Sequence, residues 1–404
     1  MDKQRTIKVF EFDSLQYGLK YDGVLFEEGH FNSLVKFNDL HKGKYFSIGF
    51  KKIIFKNYVG IIQIDGLSIE ILPKIDKRET NRELWQSVLI QMLKVTKKLK
   101  VQKLDEASVN KQQIHLLEIY FEWFLSEVRL LLRQGLIKQY YKETSNVKAL
   151  KGRIEFAGHI SKNIVHKERF YTTHQVYDND HLIHQVLNQA LCIVTTMSKG
   201  NNLYGKCKTM QLDFPEVRTI QANEGTFSKL PKSRKTAPYE TALAIARLII
   251  LNYAPNISSG KENMLALLFD MNLLWEEYIL VRLKQANLNN VRIYGQQSRR
   301  FWKNISIRPD IVIEHDKKIY IIDTKWKNID YAEPLTHDLR QMYVYNDYWN
   351  SQKAMLLYPS GKTTLEAFVT FEENSFHSPP HQCGLGKVSI FKKDRTTLDD
   401  QVGM

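Results

Sequence analysis

The stretch that most constrains this chain is Arg308-Pro309-Asp310-Ile311-Val312-Ile313-Glu314, followed by Lys318-Ile319-Tyr320-Ile321-Ile322-Asp323-Thr324-Lys325-Trp326-Lys327. Two runs rich in Ile and Val, parted by the polar Glu314 to Lys317, predict adjacent antiparallel strands of a hairpin. Asp310 opens the first strand, and Asp323 and Lys325 close the second. Side chains alternate along a strand, so Asp323 and Lys325 share one face while Ile322 and Thr324 turn the other way. A hairpin brings Asp310 near that face. Two carboxylates and an ammonium make a poor core, because a desolvated charge is costly unless paired. They suit a hard divalent cation. Mg²⁺, with Mn²⁺ as a substitute, binds carboxylate oxygens, polarises a phosphoryl oxygen and acidifies a bound water, and the lysine orients that water or stabilises developing negative charge.

The spacing Pro309-Asp310, then Asp323-Thr324-Lys325, resembles the PD…(D/E)xK nuclease signature; the bland alternative is a surface hairpin with solvated charges. Downstream, Asp338 to Tyr345 has helical character and puts Gln341 and Tyr345 four apart on one face, which is similar to the Gln-x-x-x-Tyr pair of RecB-like nucleases and implies that the pair orients the site or the strand. Upstream, Met271 to Leu280 is an apolar helix interrupted by two acids. The resemblance implies a third metal ligand from this helix, Glu276 being the candidate and Glu277 the fallback. Ala354 to Pro359, ended by Ser360-Gly361, supplies the next strand of a mixed sheet. Just before the hairpin, Ser298-Arg299-Arg300-Phe301-Trp302-Lys303 mixes cations with aromatics, so Arg299, Arg300 and Lys303 are candidates for DNA-backbone contact. Trp326 is expected to pack.

A chain of 404 residues implies more than one domain. Its formal net charge of +14 favours a polyanionic partner. The cysteines Cys192, Cys207 and Cys383 are odd in number and widely spaced, against a disulfide framework or zinc knuckle, and His381 near Cys383 reads as loop. The start lacks a signal peptide's apolar core and there is no apolar run of about eighteen residues, so a cytoplasmic protein with no membrane role is expected. There is no Gly-x-x-x-x-Gly-Lys-Ser/Thr phosphate loop, so any nucleotide-driven motor would be another chain.

Towards the amino end the expected strands are Ile7 to Phe12, Tyr45 to Phe55, Val59 to Ile64 and Leu67 to Leu72, the last two joined by Asp65-Gly66 and stopped by Pro73. The segment Tyr58-Val59-Gly60-Ile61-Ile62 through Ile69-Glu70-Ile71-Leu72-Pro73-Lys74 resembles the amino-terminal hallmark of the McrC family, the nuclease subunit of modification-dependent McrBC restriction systems. The likeness continues through a helix at Leu84 to Leu99, Leu150-Lys151-Gly152-Arg153-Ile154 and Tyr177-Asp178-Asn179-Asp180, and ends in the nuclease motifs. It covers roughly residues 55 to 360 and is weak over residues 1 to 44.

That resemblance implies a Mg²⁺-dependent endonuclease that cuts double-stranded, modified DNA, carrying 5-methylcytosine, only when joined to a hexameric McrB-like AAA+ GTPase. The amino-terminal region would dock in the motor ring. A stand-alone nuclease and a catalytically silent adaptor stay open as alternatives.

The expected fold is α+β and multidomain: a β-rich partner-docking region at 1–115, a mainly helical middle at 116–258, and a restriction-endonuclease-like αβ domain with a mixed sheet at 259–404. In the middle, helices are expected at Leu116 to Gln134, stopped by Gly135, from Asp180 as N-cap to Thr196, and at Thr241 to Tyr253. The boundary is placed at Ala254 to Lys261. Basic stretches at Lys142 to Lys167 and Leu230 to Lys235 could meet DNA, the partner or only solvent. The tail after Phe371 departs from the family pattern, with a last strand at Lys387 to Phe391 and a disordered end at Asp399 to Met404.

Overall fold

A computed structural model describes residues 5–64, 66–75, 80–98, 116–254, 263–327, 333–361, 363–372 and 380–391. The expected break at 255–261, part of the tail after Phe371 and the end at Asp399 to Met404 lie outside these residues. The chain divides into two compact units, residues 111–254 and residues 3–110 with 255–404. The amino-terminal region thus belongs with the carboxy-terminal one, where a separate docking domain was expected.

The physical reason is a shared sheet. Tyr58–Ile64 and Leu67–Leu72 form the predicted hairpin, with Ile64 opposite Leu67 and Gly66 at a φ of 81°. Leu67–Leu72 pairs in parallel with Arg5–Phe10, and the other edge of Tyr58–Ile64 pairs antiparallel with Met264–Asp270, about two hundred residues on. The strands Tyr58–Ile64 and Leu67–Leu72 are almost wholly buried, as a covered central sheet requires, with Gln63, Ser68 and Glu70 as buried polar residues among the apolar ones. Gly60 faces Leu268 with a φ of 138°, and any side chain there would meet the carbonyl of Leu267.

Elsewhere near the amino end, the expected strand Tyr45 to Phe55 is a tight hairpin, Phe46–Gly49 against Lys52–Phe55, turning at Phe50 and the left-handed Lys51. A helix at Glu28–Leu40 had no counterpart in the expected elements. The helix expected at Leu84 to Leu99 spans Arg82–Val95, capped by Asn81.

The second sheet of this unit is mixed. Its order is Val291–Gly295, Ile311–His315, Lys318–Thr324, Lys353–Ser360, Gln382–Ser389, with short strands Thr364–Leu365 and Val369–Thr370 on the last. The hairpin turn is Asp316-Lys317, both at positive φ, so Glu314 and His315 belong to the strand rather than to the turn. The helix Thr336–Trp349 carries the chain over to the parallel strand Lys353–Ser360 and packs Met342, Tyr345 and Trp349 onto Val312, Ile321 and Leu356. Gln382–Ser389 lies earlier than the expected last strand and pairs along the whole of Lys353–Ser360. Cys383 is therefore a buried strand residue, and residues 382–389 of the tail are built into the sheet.

The unit of residues 111–254 contains the helices Leu116–Gln134, Leu182–Met197, Leu203–Asp213 and Glu240–Leu251. Gly135 follows the first at a φ of 85°, as a C-terminal stop should. Asp180 is not the N-cap of the second: its carboxylate takes hydrogen bonds from Gln185 and Arg218, and the helix starts after His181. The helical expectation misses a three-stranded sheet in which Phe170–Asp178 pairs antiparallel with Gln139–Val147 and with Arg153–Ile154. Gly152, at a φ of 68°, abuts the carbonyl of Thr173, so the Lys-Gly-Arg motif marks a close backbone approach.

Candidate active site

The register of the hairpin builds the site. Ile311 lies opposite Ile322, and one residue further along the same register Asp310 comes opposite Asp323. Asp310 Oδ2 accepts hydrogen bonds from the Thr324 amide at 2.7 Å and the Thr324 hydroxyl at 2.9 Å, which fixes it at the strand end. Burial raises its pKa against the pull of those bonds. Asp323 is 2% exposed and is pushed up to about 6, by burial first and then by the negative charge of Asp310.

Lys325 follows the strand, its amide held by the carbonyl of Leu357 at 2.9 Å. Its ammonium forms an ion pair with Asp323 at 2.7 Å, lies 3.7 Å from Asp338 and donates to Gln341 Oε1 at 3.4 Å. Burial works against the charge, but Asp323, Asp338 and Asp310 together outweigh it and hold Lys325 above its ordinary pKa. Gln341 donates in turn to the Tyr345 hydroxyl at 2.7 Å, and Tyr345 donates to the carbonyl of Arg308 at 2.9 Å. The helix pair thus ties the lysine to the chain entering Asp310.

Glu276 comes from the helix Met271–Gln285, whose N-terminus is capped by Asp270, itself bonded to Asn57 just before the first-sheet strand Tyr58–Ile64. Glu276 is 6% exposed and is pushed up to about 7 by burial and then by Asp310. Glu277 instead forms an ion pair with Lys98, so the structure separates the two acids the sequence left close.

Sequence reasoning missed two supports. Gln296 spans the acids, its amide donating to the Asp310 carbonyl at 2.9 Å and its side chain to Glu276 at 2.6 Å. Asp338, one helical turn before Gln341 and so on the same face, is buried between Lys325 and Lys327, the latter at 2.6 Å. Its position in the helical repeat was the available signal.

Asp310, Asp323 and Glu276 are three carboxylates raised in pKa chiefly by burial, the charge of Asp310 adding to the shift of the other two, and one ammonium, that of Lys325, lies on Asp323. Carboxylate oxygens are the donor type that a hard divalent cation takes. Among the described residues, no three His, Cys, Asp or Glu side chains are drawn tightly enough to be a ready-made cage.

Trp326 packs, as expected, but it also reaches the first sheet. Its indole lies 5.5 Å from Trp275 and donates to the fully buried Glu11 at 2.7 Å. The Lys74 amide of the Leu-Pro-Lys motif donates to the same Glu11 oxygen at 3.0 Å. Burial pushes Glu11 from 4.5 up to about 7, so the folded chain holds this proton more tightly than the unfolded chain. Its contribution is full below pH 4.5 and is lost as pH rises through about 7. Glu11→Gln is therefore expected to be more stable than the parent at pH 8, by up to about 3 kcal/mol, and to lose that advantage by pH 5. Thermal unfolding followed across pH checks this; an unchanged pH slope would contradict it.

Of the expected DNA-contacting cations, Arg299, Arg300 and Lys303 lie on a two-stranded arm, Arg299–Trp302 against Ile305–Ile307. Arg299 is engaged internally, donating to the Tyr348 carbonyl and lying over the Trp349 ring. Among the described residues no helix is long and apolar enough to cross a membrane.

Residues 53–359 match the family described as McrBC 5-methylcytosine restriction system component. A curated relative, the type IV methyl-directed restriction enzyme EcoKMcrBC of Escherichia coli strain K12, is 24% identical over 210 residues, which cover 48% of this chain and 60% of that protein. The fold is similar to a chain in the half-complex of Thermococcus gammatolerans McrB AAA+ hexamers with bound McrC, with a TM-score of 0.67, 18% identity and 98% of both chains covered. A second match, in the cryo-EM structure of the T. gammatolerans McrBC complex, has a TM-score of 0.51 and 19% identity, covering 70% of this chain and 88% of that one. Since the family match takes in most of the chain, from the hairpin of the first sheet to the fourth strand of the second, the protein belongs to the McrBC 5-methylcytosine restriction system component family.

Proposed function

We propose that this chain is the McrC-like DNA-cutting subunit of its restriction system, with a PD-(D/E)xK site in its mixed-sheet region. The observation that carries the reading is the convergence of Asp310, one residue before the last paired position, on Asp323, with Lys325 on Asp323, at the end of a mixed sheet braced by the Gln341–Tyr345 pair. Neither a core nor a solvated surface calls for two acids that destabilise each other's charge.

Asp310 and Asp323, with Glu276, would hold Mg²⁺ or Mn²⁺. The ion supplies Lewis-acid polarisation of a phosphoryl oxygen and a more acidic water. Lys325 stabilises negative charge developing on the phosphate or orients the attacking water, and Gln341, Tyr345 and Asp338 keep its ammonium in place. Glu276 and Asp323, with raised pKa values, must lose their protons before they bind a cation, so activity should rise with pH through about 6 to 7.

The partner is inferred to be an McrB-like hexameric AAA+ GTPase, on the evidence of the fold shared with the chain bound to McrB in T. gammatolerans. The substrate is inferred to be double-stranded DNA carrying 5-methylcytosine, and the compartment the cytoplasm. The test is plasmid cleavage by the chain with such a partner and GTP or ATP, on methylated and unmethylated DNA, with Mg²⁺ present or chelated. Cutting only in the full Mg²⁺-containing mixture is expected. Cutting by the chain alone would make it a stand-alone nuclease, and no cutting under any condition would leave an adaptor.

A further inference from the structure

Between Val291–Gly295 and Asp310 the chain leaves the mixed sheet and returns as the arm of Arg299–Trp302 and Ile305–Ile307. Two strands without a covering layer are barely stable in isolation. Even so, Phe301, Trp302 and Ile305 are 45%, 57% and 54% exposed. From Gln296 to Pro309 the sequence has four cations, Arg299, Arg300, Lys303 and Arg308, and no acid.

The root of the arm is tied to the candidate site. Arg299 lies 4.8 Å over Trp349 and Phe301 packs 5.4 Å from Tyr348, both on the helix that carries Gln341 and Tyr345. On the other side Gln296 bonds both Glu276 and the Asp310 backbone. The outer part is differently occupied. Neither Arg300 nor Lys303 forms an ion pair among the described residues, and Lys303 lies 4.5 Å over the exposed Trp302 ring. A register shift between Arg300 and Trp302 inserts Phe301 as a bulge, a device that re-aims side chains at a strand edge.

We propose that this arm grips duplex DNA for the cutting site: Trp302 and Ile305 form an apolar wedge for the minor groove, and Arg300 and Lys303 neutralise the flanking phosphates. An exposed Trp and Ile side by side are the kind of side chains that wedge between base steps of the minor groove. The positive charge without any acid selects a polyanion over a protein surface. Because the arm is rooted on Gln296 and Trp349, DNA held there lies beside Asp310 and Lys325. The proposal rests on the nuclease reading and specifies how its substrate is held.

The test measures binding of a fluorescent duplex oligonucleotide to the full chain across a salt series, in an Asp323→Asn background that prevents cutting. Arg300→Ala with Lys303→Ala should weaken binding at low salt and reduce the slope of log affinity against log salt by about 2. Trp302→Ala should weaken binding roughly tenfold and leave that slope unchanged. Thermal midpoints should not move, since these side chains are exposed. If the parent binds and the variants bind equally well, the arm proposal fails and the nuclease reading stands. If the parent binds no duplex at any salt, the arm proposal fails, while the nuclease reading is decided separately by cleavage in the full mixture. Variants that keep DNA binding but lose association with the AAA+ partner would make the arm a protein contact and overturn the proposal.

Discussion

Asp323→Asn is expected to reduce Mg²⁺-dependent DNA cleavage by at least about a thousandfold, because it removes a charged oxygen ligand and the counter-charge of Lys325 in one step. The change is nearly isosteric, so the strand end should keep its shape. Lys325 retains Asp338 and Gln341 as neighbours. Asp310 loses a buried like charge that disfavours ionisation of the pair. The folded state should therefore be as stable as the parent or slightly more so, an outcome that separates a functional acid from a structural one. Single-turnover plasmid cleavage in the full mixture, with thermal unfolding of the same preparations, reads both quantities. A variant that cuts at the parent rate would remove Asp323 from the site.

Gly60→Ala is expected to cost about 3 kcal/mol or more, and to lower the midpoint of the larger unit by roughly 6–12 °C. The residue sits in the middle of Tyr58–Ile64 with neighbouring strands on both sides, and its φ of 138° is one that side chains avoid. A methyl group would meet the Leu267 carbonyl, so relief would require parting two paired strands. The consequence reaches the site. Met264–Asp270 runs into the helix that carries Glu276, and Asn57 holds both Asp270 and the Met271 amide at that junction. Cleavage should fall together with stability. Limited proteolysis and thermal unfolding check the expectation; an unchanged midpoint would contradict it.

The parts of the site legible in the sequence are those set by local periodicity. The two apolar runs and their polar turn were enough to place Asp310 against Asp323, and the four-residue spacing placed Gln341 against Tyr345. Choosing Glu276 over Glu277 required the neighbouring Trp275, which the structure buries completely. What was not legible depends on pairing across long separations. Nothing near Tyr58–Ile64 indicates that Met264–Asp270 will lie beside it, so the amino-terminal strands read as a domain of their own. Glu11 looks like a surface acid until Trp326 and the Lys74 amide close over it.

Polar patterning hid other strands. Gln139–Val147 alternates between half-buried and exposed positions and carries Lys, Glu, Ser and Asn, so its pairing with Phe170–Asp178 leaves no apolar signature. Gln382–Ser389 contains two glycines and reads as tail, yet its parallel partner supplies the burial that its own composition does not announce. Asp180 had the chemistry of an N-cap, but Arg218 and Gln185 take its carboxylate instead.

Asp310, Asp323 and Glu276 together are expected to bind a divalent cation. Titrating the full chain with Mn²⁺, and counting bound ions by electron paramagnetic resonance, tests this without any DNA or partner. Binding should strengthen from pH 6 to pH 8 as Glu276 and Asp323 lose their protons, and should be lost in Asp310→Asn combined with Asp323→Asn. Equal binding by the parent and the double variant, or no binding by the parent at pH 8, would contradict it.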